Sequence, residues 1–590
     1  MGACKRAAPP PPAPAPIATV VTDAAPAATH DEAPVVPKYR DTGAPAPAVE
    51  AVSGSGATYM VASESARATQ VGRDILAAHG NAVDAAVATA FALAVVHPTA
   101  GNLGGGGFAV VRTAPGKAES LDFRETAPAA ATATMYLDAK GNPTKDSLLG
   151  ARASGVPGSV AGLWELHHKY GHLTWAEVVA PAVELARGGF AVDATLAEAI
   201  SDRAVELLAN PATGAIWVPN RIPVAVGKTV AIPDLAITLD RIAAQGPDGF
   251  YKGETAAAIV AEMTRGGGII TAADLAGYHA VWRTPLRFSY RGYSMVTMPP
   301  PSSGGIVLAL TTGMFRNVDM ATLPWHSAPH VHRLIETWRR AFAVRNEVLG
   351  DPAFVTSMPI AHLMSTEYQD QLAATITDKA SESKAIVPLA EGNHTTNLCV
   401  VDAQGMAVAL TTTLNTSWGN GITVAGAGFL LNNEMDDFTA KPGSPNVFGL
   451  VQGVANKIEP GKRMLSSMSP TIVEDPQGNV FLLAGAGGGP RIITAVWQTI
   501  SNVIDYGQTI AIAVASKRVH MQHLPDVTRI EEYAIDEATA KDLAARGEKL
   551  DWSNPPGAFA HVTAIVRTKS GWDGTSDPRG GGSAMGDAGK

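Results

Sequence analysis

Cysteine is nearly absent: the 590 residues hold two, Cys4 and Cys399. Two thiols cannot build a disulfide framework or a multi-cysteine zinc site, so stability must come from burial. Charge is sparse, at 17% of residues, with a net −9 and no basic surplus. That excludes a dedicated nucleic-acid binder, which needs a positive footprint for phosphates. Long apolar runs are missing as well. The longest, residues 85–96, is bounded by Asp84 and His97-Pro98 and falls short of the ~18 residues that span a bilayer. No repeat with a period of roughly 20–50 residues marks a solenoid. What is present is 46% hydrophobic residues, enough for a sizeable core. At ~150 residues per domain the length allows about four domain-sized portions, or one large α/β core. The composition reads as a soluble globular body, either an enzyme or a large binding protein.

The first 50 residues carry 11 of the 41 prolines, interleaved with alanine. Such a segment favours extended polyproline conformations and cannot bury a core, so residues 1–56 read as a spacer. Gly2-Ala3-Cys4 followed by Lys5-Arg6 resembles the end of a bacterial lipobox, where the cysteine is lipidated and a tether follows. The apolar stretch that should precede it is missing. A lipidated anchor and a chance match both stay open.

From Ala57 the composition becomes globular. Residues 63–80 and 81–96 are alanine-rich helix formers split by Gly80-Asn81, and helical patterns recur over 160–208 and 331–349. After residue 378 the character changes. Residues 380–394 read as an exposed loop, followed by strand formers at Thr395–Val401, a turn at Asp402-Ala403-Gln404-Gly405, and a returning strand over 406–413. A third strand pattern covers 428–431. Residues 472–474 and 480–483 flank another turn, and a helix is expected over 493–506.

Gly104-Gly105-Gly106-Gly107 invites a phosphate-loop reading. No Lys-Ser/Thr follows, and the run precedes a strand pattern rather than a helix. A tight backbone crossing explains it better than a nucleotide. His167, His168 and His172 sit close together, as do His326, His330 and His332, but no His-Glu-x-x-His pattern appears. Helix-end and surface positions explain both groups more simply than metal ligation.

The informative constellation is Asn393-His394-Thr395-Thr396, at a loop-to-strand junction. A threonine hydroxyl is a poor nucleophile without a base beside it. If the chain is cut before Thr395, the new α-amine, with an ordinary pKa of ~7.7–8.0, lies within reach of its own hydroxyl. Taken alone, the two threonines would simply begin a strand. The surroundings argue otherwise. Asn415, Glu434, Asp436 and Asp437 fall at the ends of neighbouring strand patterns, with Ser466-Ser467 and Gly487-Gly488-Gly489 in further loops. These supply acids for an ammonium, hydroxyls for a carboxylate and backbone N–H groups for an oxyanion.

These residues resemble the γ-glutamyltranspeptidase family (glutathione hydrolases) of the N-terminal-nucleophile hydrolases. The likeness runs from about Ala57 to Arg579. It includes Gly80-Asn81-Ala82-Val83-Asp84-Ala85, the Ala100 to Phe108 stretch, Asp122-Phe123-Arg124-Glu125 and the Pro299-Pro300-Pro301-Ser302-Ser303-Gly304-Gly305 turn. Leu431-Asn432-Asn433-Glu434-Met435-Asp436-Asp437-Phe438, Leu465-Ser466-Ser467-Met468-Ser469-Pro470 and Ser576-Asp577-Pro578-Arg579 continue it.

The resemblance implies an α/β, four-layer αββα sandwich and self-cleavage between His394 and Thr395. Residues 57–394 would then form a large subunit and 395–590 a small catalytic one, associated as a heterodimer. Thr395 would attack the γ-carbonyl of glutathione or another γ-glutamyl donor, and pass the acyl group to water, an amino acid or a dipeptide. Thr413 would support the hydroxyl, and Gly488 and Gly489 would form the oxyanion hole. Arg124, Ser466 and Ser467 would take the α-carboxylate; Asn415, Glu434 and Asp437 the α-ammonium. No metal, organic cofactor or nucleic acid is implied. The family's lid falls on residues 440–448, with Phe448 where bacterial relatives often carry tyrosine, and the missing hydroxyl implies a looser closure. Alternatives are a cephalosporin or glutaryl acylase, a poly-γ-glutamate processing enzyme, or an uncleaved binding lipoprotein. The expected location is periplasmic or extracellular, with Cys4 as a candidate lipid anchor.

Overall fold

The computed structural model describes residues 37–40, 52–383, 395–553 and 559–587. The lipobox-like start, most of the spacer and the His394 side of the expected cleavage lie outside the described residues.

Two seven-stranded antiparallel sheets form the centre of this described body. Their strands, in chain order, are β1 (Val52–Gly56), β2 (Met60–Ser63), β3 (Gly106–Ala114), β4 (Lys117–Phe123), β5 (Val281–Arg283), β6 (Leu286–Tyr290) and β7 (Tyr293–Thr297). They continue with β8 (Thr395–Val401), β9 (Ala407–Thr413), β10 (Thr471–Glu474), β11 (Val480–Gly487), β12 (His561–Thr568), β13 (Gly571–Ser576) and β14 (Ser583–Gly586). One sheet runs β1-β13-β12-β11-β10-β7-β6, the other β14-β2-β8-β9-β3-β4-β5. The chain therefore enters a sheet at Val52, ahead of the compositional change at Ala57. Tyr39 also docks edge-on against Trp552, and the Arg40 N–H donates to the Ile535 carbonyl at 2.8 Å.

Period-two alternation explains the layering. In β8, Leu398 and Val400 face a helix-side core while Cys399 and Val401 face an inter-sheet core. In β9, Val408 and Leu410 join the first core and Ala407 and Ala409 the second. β10 and β11 do the same for the other sheet, with Ile472 and Leu483 inward and Val473 and Leu482 toward the far helices. The inter-sheet core mixes small side chains such as Ala62 and Ala409 with large ones such as Met60, Ile565 and Trp572. One outer layer includes helices α1 (Ala66–Ala77), α2 (Ala82–Val96), α3 (Ser159–Tyr170), α4 (Trp175–Gly188) and α5 (Pro233–Gln245). The other includes α6 (Gly304–Phe315), α7 (Ala328–Val348) and α8 (Arg491–Ile504). The result is the αββα sandwich that the resemblance implied.

Local signals explain α2. Asn81 caps α2 reciprocally with Asp84, and every residue of that helix is buried, so its alanine-rich composition serves all-round packing. The glycine run is a backbone crossing. A Cβ at Gly104, Gly105 or Gly107 would lie 2.1, 2.0 or 2.2 Å from the carbonyl oxygens of Leu430, Thr413 and Thr411.

Two expectations need correction. Residues 428–431 form no ladder strand: Gly428 sits at φ 78°, and Leu430 and Leu431 make only isolated bridges to Thr423 and Gly104. Their apolar side chains fill the helix-side core from a loop. The second histidine group is buried rather than superficial. His326 Nδ1 donates to the Ala534 carbonyl at 2.8 Å, and His332 bridges Glu548 and the Thr377 carbonyl, both at 2.7 Å.

Candidate active site

Thr395 opens β8 and sits in register with Thr413, the last residue of β9. Their hydroxyl oxygens are 3.3 Å apart, and Thr413 Oγ1 also accepts the Asn415 N–H at 2.8 Å. Asn415 leaves the strand at φ 76°, which turns its amide to donate to the Asn433 carbonyl at 2.9 Å. Asn433 precedes a single helical turn, Glu434–Asp437. Asn432 locks that turn to the glycine crossing: its amide donates to the Gly104 and Gly155 carbonyls, and its oxygen accepts the Glu434 N–H.

Arg124 follows β4 directly, and its guanidinium is buried between Glu434 and Asp437, pairing with both. Glu125 lies 3.7 Å from the same guanidinium. One buried cation thus faces three carboxylates. Burial and this crowding push Glu125 up to about 7 and Glu434 well above the ordinary carboxylate range. Burial raises Asp437 as well, against the pull of Arg124. Burial alone would lower Arg124, but its three acidic neighbours hold it above its ordinary value. Glu434 Oε2 is buried without a hydrogen-bond partner among the described residues.

Opposite this acidic group, the Pro299–Gly305 turn forms a shelf. The Ser466 N–H donates to the Pro301 carbonyl at 2.9 Å, and the Ser303 N–H and hydroxyl donate to the Ser466 carbonyl at 2.7 and 2.6 Å. Arg345, from α7, donates to Ser303, Asn346, Gln452 and, at 3.3 Å, the Ser467 hydroxyl. Burial lowers its pKa to about 10. Arg345 belongs to no motif in the sequence; only the fold brings it under the serines. Glu125 and Asn432 were visible within motifs, without a role.

Gly488 and Gly489 follow β11 at φ 134° and 56° and lead into the N-terminus of α8. Both values need glycine, and the free N–H groups of a helix start favour negative charge there. A Cβ on Gly488 would lie 2.7 Å from the Ala560 backbone, and one on Gly489 2.7 Å from the Phe448 ring.

One cleft of about 280 Å3 gathers Arg124, Thr395, Thr413, Asn415, Glu434, Asp437, Ser466, Ser467 and Gly489. Gly488 is the exception: it lines a neighbouring cavity that also reaches Thr395. The lid is seated firmly. Phe448 is 3% exposed, its carbonyl accepts the Gln522 amide at 2.9 Å, and Asn446 and Val447 donate to Asp437 and Asp436. The looser closure implied by the missing tyrosine hydroxyl is not what the packing gives, because the ring lies on Gly489 instead. Neither histidine group reaches the cleft, and the described residues contain no group of three or more that could hold a metal ion. No helix among them is long and apolar enough to cross a membrane.

A family model, Gamma-glutamyltranspeptidase, matches residues 68–587. The glutathione hydrolase proenzyme of Escherichia coli (strain K12) is 47% identical over 527 residues, covering 88% of this chain and 90% of its own length. Among solved structures, a cephalosporin acylase from Bacillus halodurans matches with a TM-score of 0.79 at 26% identity, covering 94% of this chain and 99% of that one. The gamma-glutamyltranspeptidase from Pseudomonas nitroreducens complexed with L-DON matches at 44% identity and a TM-score of 0.51, over 54% of this chain and 93% of its own.

Proposed function

The chain belongs to the γ-glutamyltranspeptidase family, and from that premise we propose that it is a glutathione hydrolase and γ-glutamyltransferase whose nucleophile is Thr395, freed by cleavage after His394. The α-amine of Thr395 takes the proton of its own hydroxyl. The oxygen then attacks the γ-carbonyl carbon, and the backbone N–H groups of Gly488 and Gly489 receive the developing oxyanion. The leaving amine collects the proton, and a γ-glutamyl ester remains on Thr395 until water or an amine displaces it. Thr413 holds the Thr395 hydroxyl in place between steps.

The observation that carries this reading is the buried, unpartnered Glu434 Oε2 in the cleft shared with Thr395. An orphaned buried acceptor is costly, and a donor's α-ammonium, held also by Asp437 and Asn415, relieves it. The α-carboxylate takes Ser466, Ser467 and one face of Arg124, whose planar fork matches a carboxylate. Recognition of both α-groups selects a γ-linked glutamyl unit, because an internal peptide residue lacks both.

The cephalosporin acylase likeness over 94% of the chain supports a second reading, in which the donor is a glutaryl group. Glutaryl has no ammonium to satisfy Glu434. Side-by-side rates on γ-glutamyl and glutaryl p-nitroanilides decide between them. A γ-glutamyl preference of at least a hundredfold is expected, and a glutaryl preference overturns the main reading. We place the mature enzyme in the periplasm or outside the cell; mass analysis of the membrane fraction for an acylated Cys4 tests the anchor.

A further inference from the structure

A second cavity, of about 660 Å3, meets the cleft at Thr395 and shares none of its other lining residues. The proposed donor machinery leaves it unused except for Thr395 and Gly488. Glu64, just past β2, is 3% exposed; its Oε1 accepts the Asn397 N–H at 3.3 Å. Glu64 Oε2 has no hydrogen bond among the described residues and stands 3.8 Å from both His97 Nε2 and His561 Nδ1. Asp193, an exposed helix cap, lines the same cavity. Burial holds His97 below its ordinary pKa despite the pull of Glu64 and Asp193, so its imidazole is uncharged at neutral pH. Two carboxylates facing a neutral base make a site for a cation that must give up a proton.

We propose that this cavity binds the amine acceptor of the transfer reaction, with Glu64 and Asp193 holding its ammonium and His97 taking the proton that frees the nucleophilic nitrogen. The inference rests on the function proposed above. The acceptor nitrogen, once deprotonated, attacks the carbonyl carbon of the Thr395 ester and the C–N bond forms. The C–Oγ bond breaks, and the second nitrogen proton passes to the departing Thr395 oxygen. The products are a γ-glutamyl amide, free Thr395 and one proton left on His97. Because Gly488 lines this cavity and Gly489 the cleft, the oxyanion position lies where donor and acceptor sides meet. Water needs no such ammonium site, so the cavity bears on transfer rather than hydrolysis.

The test compares the matured wild type with Glu64→Gln, Asp193→Asn and His97→Gln, using γ-glutamyl-p-nitroanilide as donor and glycylglycine as acceptor. Glu64→Gln keeps an acceptor for the Asn397 N–H, and the exposed Asp193→Asn carries little risk of misfolding. The first two variants should raise the glycylglycine KM at least tenfold, and His97→Gln should lower the transfer kcat at least tenfold. In each, the transfer-to-hydrolysis ratio falls by a similar factor. Ratios within twofold of the wild type, or equal losses of transfer and hydrolysis, overturn the inference. So does loss of chain cleavage in Glu64→Gln and Asp193→Asn alike, which would assign the cavity to maturation. A wild type inert toward every γ-glutamyl donor overturns the proposed function and this inference with it. An active wild type with unchanged variant ratios overturns the inference alone.

Discussion

Arg124 is outnumbered by the acids around it, and that imbalance sets the behaviour of the cleft. Its pairs with Glu434 and Asp437 neutralise it before any ligand arrives, so the zwitterionic glutamyl group of the proposed donor would exchange partners rather than bring in a net charge. Removing one acid should therefore weaken donor binding selectively. Asp437→Asn loses a charge-assisted contact of about 1.5–3 kcal/mol, and the donor KM should rise about ten- to a hundredfold with a smaller change in kcat. Steady-state kinetics over a donor series check this. Glu125 makes a separate prediction about stability. Both its oxygens are buried without a hydrogen bond among the described residues, and burial pushes its pKa up to about 7, against ~4.3 in an unfolded chain. A raised folded pKa means that its contribution is present in full below the unfolded value and is lost as pH rises through about 7. Glu125→Gln carries no such loss. Its melting temperature relative to the wild type should be higher at pH 8 than at pH 5, as read by calorimetry.

At the level of elements, the cleft is a meeting of strand ends and turns held from behind. Arg345 shows why some of this is invisible in a sequence. It sits on an amphipathic helix with no motif, yet its guanidinium donates to four side chains, including Ser467. Arg345→Lys keeps the charge but cannot reproduce the fork. Donor KM should rise about tenfold through misplaced serines, with thermal scans showing a loss of several degrees. Gly488→Ala adds a Cβ 2.7 Å from Ala560 at a φ of 134°. It should lower kcat by about a hundredfold, the cost of a misaligned oxyanion donor. Local chemistry made other elements legible. Thr395–Val401 is rich in strand formers and is followed by a turn at Asp402-Ala403-Gln404-Gly405, and the strands on either side of that turn appear where the pattern puts them. Gly80-Asn81 caps a helix because asparagine accepts the first free N–H groups. The glycine crossing was readable because nothing else suits four consecutive glycines before a strand. Residues 428–431 misled because apolar content does not distinguish a strand from a loop pressed into the core. Phe448 misled because a lost hydroxyl says nothing of where the ring packs.

At the scale of the whole molecule, the sandwich explains why a break before Thr395 need not unravel it. β8 is flanked by β2 from the proposed large subunit and β9 from the small one. The second sheet likewise mixes β1, β6 and β7 from before Thr395 with β10 to β13 from after it. Both inner faces bury a common core drawn from both sides, including Met60, Val110, Ile472 and Ile565. Cutting one peptide bond leaves those ladders and that core in place, so the two pieces should remain together without a disulfide. The alternation that builds the layers was readable strand by strand. The pairing of distant strands was not, because each ladder joins segments far apart in the chain, such as β2 with β8 and β14, and no local pattern names the partner. Denaturing mass spectrometry of the purified protein should find the first 394 and last 196 of the 590 residues, about 41 and 20 kDa by proportion of 60.9 kDa. The smaller chain should begin Thr-Thr-Asn-Leu. Native mass spectrometry of the same sample should give one particle containing both. Thr395→Ala should remain a single chain with the same fold and melting behaviour, because a methyl group in that strand position costs little packing but leaves no hydroxyl to attack the bond before it. A Thr395→Ala protein that still splits into these two pieces would show that the cleavage is not its own work.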